Sequence, residues 1–324
     1  MKSLMKTVLA AAVVALAAGT AHADYPEKAV TIVAPYGAGG ASDLAARALA
    51  ETSREYLGDQ PVVVVNKPGN GGMNGARFVS EGTPDGYTLL LARVGMALYP
   101  AVQESSPVGW DDYTFLGSLE ATPMILAVAE NSPYKTAEEL VEGLKANPGA
   151  LTYGASGATA IDGFTVQALL ADNELDPLTA ATLVPYKGGG ALATALLGGH
   201  VDFLAIAAGS LMPHIESGKM RALMVYAPSR MDTLPDVPTA AELGFEKAGQ
   251  ITGWSALYGP KDLPEEIVTR WQETLAKVAE DEKWLELAER RGSISTAGKE
   301  DMAAYAKSQY ELFNGLAREF GYIK

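Results

Sequence analysis

The chain has 324 residues, 48% of them hydrophobic, with 39 acids against 25 bases and no cysteine. A formal net charge of −14 argues against nucleic acid and anionic membrane surfaces as partners, and the missing thiols remove disulfides and lipidated cysteine from consideration. A length of about 300 residues after any leader exceeds what one hydrophobic core holds and predicts two domains.

Lys2 and Lys6 precede an apolar stretch from Val8 to Ala18, followed by Ala21-His22-Ala23. The stretch is shorter than the roughly 20 residues a membrane span needs, and the A-x-A ending is a cleavage signal. Residues 1–23 therefore read as a signal peptide cut after Ala23, leaving a soluble, unanchored product in the periplasm or outside the cell. Loss of its two lysines takes the charge from −14 to −16. That charge leaves room for an anionic ligand, because backbone N–H groups and a single arginine act locally, while spread charge is screened beyond about 10 Å.

The apolar run Val30-Thr31-Ile32-Val33 leads into Pro35-Tyr36-Gly37-Ala38-Gly39-Gly40-Ala41-Ser42-Asp43 and then an amphipathic helix. Strand, glycine loop and helix N-terminus together make an anion site, since glycines admit close approach and the first helical N–H groups lack intrahelical acceptors. Leu44, Ala45, Ala48 and Leu49 share a face, Arg47 and Glu51 stand four apart, and Ser42 or Asp43 is the expected cap. The loop is not a Walker A loop, which needs Lys-Ser/Thr after the last glycine. Nor is it a dinucleotide fingerprint, because serine stands at the third glycine position and the next strand ends in Asn66-Lys67 without an acid.

The unit repeats. Val62–Val65 is a strand followed by a loop through Gly69, Gly71 and Gly72 and a brief helix. Thr83-Pro84-Asp85-Gly86 is a turn and Tyr87–Leu91 the third strand. Strands alternating with helices imply a parallel sheet whose ligand site lies outside the carboxyl ends of the strands. Arg93 follows the third strand at that edge, where a guanidinium can grip a carboxylate bidentately.

After Ile125–Val128 the pattern restarts. Leu151–Tyr153 leads into Gly154-Ala155-Ser156-Gly157-Ala158-Thr159-Ala160-Ile161-Asp162-Gly163 and a helix. Thr182–Val184 leads into Pro185-Tyr186-Lys187-Gly188-Gly189-Gly190 and a helix ended by Gly198. Val201–Ile206 and Arg221–Tyr226 are further strands. A return of the chain after the last of these puts a two-segment hinge near residues 121–128 and 225–230. From Pro264 the chain is helical, with Ile267, Trp271, Leu275 and Val278 on one face and later aromatics assigned to the core.

Catalytic groups are scarce. Ser156 misses the G-x-S-x-G elbow at its last position, and the histidines left after cleavage, His200 and His214, lack metal-ligand spacing. Asp172-Asn173-Glu174-Leu175-Asp176 has proline where a calcium loop needs glycine and reads as a solvated acidic loop. No metal, no cofactor and no enzymatic activity are expected.

Five ordered motifs carry a resemblance that spans the mature chain: the Pro35–Asp43 loop, Asn66–Gly72, Thr83–Thr88, Val184–Gly190 and Leu234–Phe245. They resemble the substrate-binding proteins of tripartite tricarboxylate transporters, the Bug or TctC family. The resemblance implies an α/β, type II-like two-domain periplasmic binding protein, each domain a mixed, mostly parallel sheet flanked by helices, with the ligand cleft between them. On that reading domain 1 is 24–124 plus 228–324 and domain 2 is 125–227. It further implies capture of a small organic anion by interdomain closure, and delivery by a monomer to a membrane permease with large and small subunits. Carried onto this chain, the ligand-binding set is Tyr36, Gly37, Ala38, Gly39, Gly40, Asp43, Gly72, Arg93, Ser156, Gly157, Ala158, Thr159, Asp162 and Tyr186. Two departures bear on the ligand. Asp162-Gly163 stands where many members carry histidine, and Arg93 where small polar residues are common. Arg93 is then the expected contact for a distal carboxylate, and Asp162 would suit an amino or hydroxyl group. A sensor reporting to a receptor kinase would share the fold, and an exported hydrolase or isomerase is the remaining alternative.

Overall fold

The computed structural model describes residues 25–298 and 301–324. The leader and its cleavage site lie outside the described residues. In chain order the strands are β1 (Val30–Ala34), β2 (Val62–Asn66), β3 (Thr88–Arg93), β4 (Tyr113–Thr122), β5 (Met124–Ala129), β6 (Thr152–Ala155), β7 (Thr182–Pro185), β8 (Phe203–Ala207), β9 (Met220–Tyr226), β10 (Gly253–Pro260) and β11 (Ile294–Ser295). They form two sheets, ordered β11-β4-β10-β3-β1-β2 and β7-β6-β8-β5-β9.

The sheets repeat one plan. β1 runs parallel to β2 and β3, and β6 parallel to β7 and β8. In each sheet one inner strand is reversed, β10 between β3 and β4 and β5 between β8 and β9. Each reversed strand arrives from the other lobe. β5 follows β4 after the single residue Pro123, and β10 begins where the chain returns.

These crossings fix where the loops lie. Gly253 at the start of β10 pairs with Thr122 at the end of β4, and Ser255 pairs with Arg93 at the end of β3. Met124 at the start of β5 pairs with Ala207 and Tyr226, the ends of β8 and β9. The carboxyl ends of β1 to β4 in one sheet, and of β6 to β9 in the other, therefore point toward the crossing. The loops that follow β1, β2 and β3 and those that follow β6, β7 and β8 border one cleft.

Alternation along β1 divides the core of the first lobe. Val30 and Ile32 join Leu49, Trp271 and Trp284 on one face. Val33 faces the other way, into a cluster that continues through Trp254 and Phe313 to Leu126, Phe164 and Phe203 of the second lobe. The helical face anticipated after Pro264 is present. Ile267, Trp271, Leu275 and Val278 are all buried on the helix Glu265–Val278.

Several expectations are corrected by packing. β4 and β10 are strands that the pattern did not announce. Both are interior, so their Gly117, Ser118, Glu120, Gly253 and Ser255 disrupt the apolar alternation by which a strand is recognised. Residues 239–248 pack against elements of the second sheet's lobe. Thr239 bridges to Val225, and the amides of Lys247 and Ala248 donate to Asp172 at 3.0 and 2.9 Å. Asp172 is thus a cap for the short helix Glu246–Gly249, not part of a solvated loop.

The C-terminal helix Met302–Glu319 is capped by the Asp301 carboxylate. Asn314 donates to the carbonyl of Ala101 on the helix Gly95–Val102. Its far end reaches the second lobe, where Phe313, Phe320 and Tyr322 surround Phe164 with centroids 5.8–5.9 Å away. Gln167 donates to the Tyr322 hydroxyl at 2.9 Å. Phe313→Ala should lower the unfolding free energy by about 3–5 kcal/mol, measured by urea denaturation.

Candidate functional site

The loop after β1 is held from beneath. The helix Ala41–Ser53 starts from Gly40 as N-cap with no side chain capping it, so neither Ser42 nor Asp43 fills the expected role. Asp43, in the first turn, reaches back instead. Its Oδ2 accepts the Gly39 amide at 2.9 Å and Arg47 Nε at 3.0 Å, while Oδ1 takes Asn66 Nδ2 at 2.9 Å and Arg47 Nη2 at 3.0 Å. Arg47, paired in sequence with Glu51, belongs to Asp43, and Glu51 meets Lys283. The Arg47 hydrogen bond, with those from Gly39 and Asn66, holds the buried carboxyl down to about 2. With both oxygens engaged, Asp43 shapes the loop.

That arrangement sorts the loop amides. Gly39 gives its N–H to Asp43, and Gly40 gives its own to the Gly37 carbonyl at 3.3 Å. Among the described residues, the N–H groups of Gly37, Ala38, Ala41 and Ser42 have no intramolecular acceptor, and residues 37–39 are exposed. Backbone donors at a helix N-terminus suit an anion.

Tyr36 forms the wall. Its carbonyl accepts Asn66 Nδ2 at 3.1 Å and its hydroxyl donates to Gly71 O at 3.0 Å. Gly72, at φ +96°, must be glycine here, since a Cβ would lie 2.8 Å from Tyr36 Cζ. Gly95 is likewise confined, with a Cβ falling 2.9 Å from the Tyr36 hydroxyl. Burial raises the Tyr36 phenol pKa, and nearby Arg93 opposes the rise.

Arg93 ends β3 beside Tyr36. Its Nη2 donates to Thr122 Oγ1 at 2.8 Å, and that hydroxyl also meets Ser293 Oγ at 3.2 Å. The neighbouring acid is Glu120, buried in β4, whose Oε1 is taken by Arg291 through Nε at 3.1 Å and through Nη2. Burial lowers the Arg93 pKa, with Glu120 and Tyr36 opposing; an arginine stays cationic regardless. Among the described residues it has no ion pair within bonding distance.

The second lobe repeats the device. Asp162, buried in the first turn of the helix Ile161–Asp172, accepts the Ser156 amide at 2.8 Å and Ser156 Oγ at 2.5 Å on Oδ2, and the Gly163 amide at 3.0 Å on Oδ1. No basic side chain pairs with it among the described residues, and burial raises its pKa against those hydrogen bonds. Asp162 is the counterpart of Asp43 without an Arg47. Its oxygens are engaged by Ser156 and by the neighbouring Gly163 amide. Gly157, Ala158 and Thr159 border the cleft with their N–H groups free of intramolecular acceptors among the described residues. Tyr186 follows β7, its amide donating to Ala155 O at 3.0 Å and its side chain packed, like that of Val184, against the apolar core of the second lobe.

The structure thus gathers Tyr36, Gly37–Gly40, Gly72 and Arg93 on one side and Ser156–Thr159 and Tyr186 on the other, and puts Asp43 and Asp162 beneath their loops. Sequence reasoning missed Asn66, Thr122, Glu120, Arg291 and Ser293. Only the Asp43–Arg47 spacing gave a local signal, since the others meet through distant chain segments. Asp43→Asn should destabilise the protein at pH 7. A carboxyl whose folded pKa is depressed contributes stability present above its unfolded value, about 4, and lost as pH falls toward 2. The variant's melting temperature should therefore fall less across that window, by calorimetry.

The profile of the tripartite tricarboxylate transporter family receptor matches residues 45–311. A protein of Agrobacterium vitis, described as the UPF0065 protein in the TAR-I ttuE-ttuC' intergenic region, is 34% identical over 94% of this chain and 86% of its own. A solved structure described as a periplasmic transporter is 31% identical, covers 91% of this chain and 98% of its own, and superposes with a TM-score of 0.78. MatC from Rhodopseudomonas palustris, solved with bound malate, is 25% identical over 90% of this chain and all of its own, with a TM-score of 0.76. A second R. palustris protein, solved with adipate, is 25% identical over 92% and 99%, with a TM-score of 0.77. The chain belongs to the TctC, or Bug, family of tripartite tricarboxylate transporter receptors, and is a solute-binding protein rather than an enzyme.

Proposed function

We propose that the protein captures a small di- or tricarboxylate in the cleft and delivers it to a tripartite permease with large and small subunits. It acts as a periplasmic monomer after cleavage behind Ala23. The observation that carries this reading is Arg93, a cation without an ion pair of its own among the described residues, beside Tyr36, which leads into the donor loop. One carboxylate takes the N–H groups of Gly37, Ala38, Ala41 and Ser42, with Arg93 beside them. The other end of the ligand meets Gly157–Thr159. Malate in MatC and adipate in the second R. palustris protein support the class. So does the charge arithmetic, since Asp43 is already neutralised by Arg47 and leaves the first loop electropositive.

The moving bodies are residues 25–122 with 253–324, and 124–251. They are joined at Pro123 and around Thr252, whose hydroxyl lies 3.5 Å from the Thr122 carbonyl. Paired short crossings of this kind favour hinge closure over shear.

A thermal-shift panel on refolded, ligand-stripped protein tests the reading. A carboxylate at 100 times its dissociation constant should add about 2.7 kcal/mol and raise the melting temperature by several degrees. Arg93→Ala should weaken that ligand by roughly 30-fold or more, as expected for lost charge-assisted hydrogen bonds; unchanged affinity would remove Arg93 from the site. Deleting the gene should abolish uptake of the same acid while leaving its metabolism intact, and unimpaired uptake would argue against delivery to a permease.

A further inference from the structure

The sequence suggests that Ser156 donates to an anion, but both of its donors are already used. Its amide gives to Asp162 Oδ2 at 2.8 Å and its hydroxyl gives to the same oxygen at 2.5 Å. A serine hydroxyl has one proton and two lone pairs. With the proton directed at a buried carboxylate, only lone pairs remain for the cleft, toward which the exposed Ser156 is turned at the end of β6. The first lobe offers no equivalent, because glycine and alanine occupy the matching loop and donate through backbone alone.

The electrostatics under the two loops differ in the same sense. Asp43 shares its charge with Arg47 and Asn66, whereas Asp162 is bonded to Ser156 and Gly163 and to no cation among the described residues. The first loop therefore suits a bare carboxylate. At Ser156 the second loop suits a group that brings a proton, while the adjacent N–H groups of Gly157, Ala158 and Thr159 remain free to donate to a carboxylate oxygen. A donor next to a carboxylate is the pattern of a 2-hydroxy or 2-amino acid.

We infer that Ser156, polarised by Asp162, is an acceptor that selects 2-hydroxy or 2-amino dicarboxylates over their unsubstituted parents and turns the substituted carbon toward the second lobe. The inference rests on the carboxylate reading above and narrows its ligand class.

The test uses calorimetric titration of the full mature protein with succinate, L-malate and L-aspartate. The wild type should bind malate or aspartate about tenfold or more tighter than succinate, the worth of one well-made hydrogen bond. Ser156→Ala should bring that ratio close to one by weakening malate and aspartate. Asp162→Ala is the second variant. Without the carboxylate the Ser156 hydroxyl proton is free to turn into the cleft, so the preference should vanish or reverse toward succinate. Equal wild-type affinity for the three acids, or a ratio that survives Ser156→Ala, would overturn the inference while leaving carboxylate capture standing. Failure of all three acids to bind the wild type would overturn both.

Discussion

Everything at the cleft depends on a carboxylate in the first turn of a helix that folds back to hold the amide of the preceding loop. Asp43 and Asp162 do this in the two lobes, and in doing so decide which backbone donors remain free. A glycine loop left to itself would sample many conformations, because glycine loses more backbone freedom on ordering than any other residue. A buried acceptor beneath it fixes one of them. In the proposed mode of capture the ligand meets N–H groups already aimed, and less of its binding energy is lost to ordering them.

The two lobes share that device but not its charge balance. Arg47 and Asn66 complete the first, whereas the second relies on a serine and a glycine amide. A pair of similar loops thereby becomes two different chemical surfaces. Sheet topology brings them together, since the reversed strands β5 and β10 oblige both sets of carboxyl-terminal loops to meet at the crossing.

Much of this could be read from the chain. The short strands followed by glycine loops declared themselves because each is bounded by turn residues and built of branched apolar side chains. The helix bearing Trp271 and Leu275 was visible from its periodicity. β4 and β10 were not, because a strand flanked on both sides by other strands takes its identity from partners far away in sequence. At the site, Tyr36, Gly72 and Arg93 were legible from their place after strands. That Asp43 and Asp162 turn back to their own loops was not legible, because an acid near a helix start looks the same in sequence whichever way it faces. Glu120 and Arg291 are 171 residues apart and no local pattern connects them.

The last helix stands against the first lobe, while Phe320 and Tyr322 rest on the helix of Phe164 in the second. The end of the chain consequently spans the seam between the two lobes. A fluorophore or fluorescent protein joined after Lys324, matched with one at the exposed Leu197 of the second lobe, would convert the proposed closure into an optical signal.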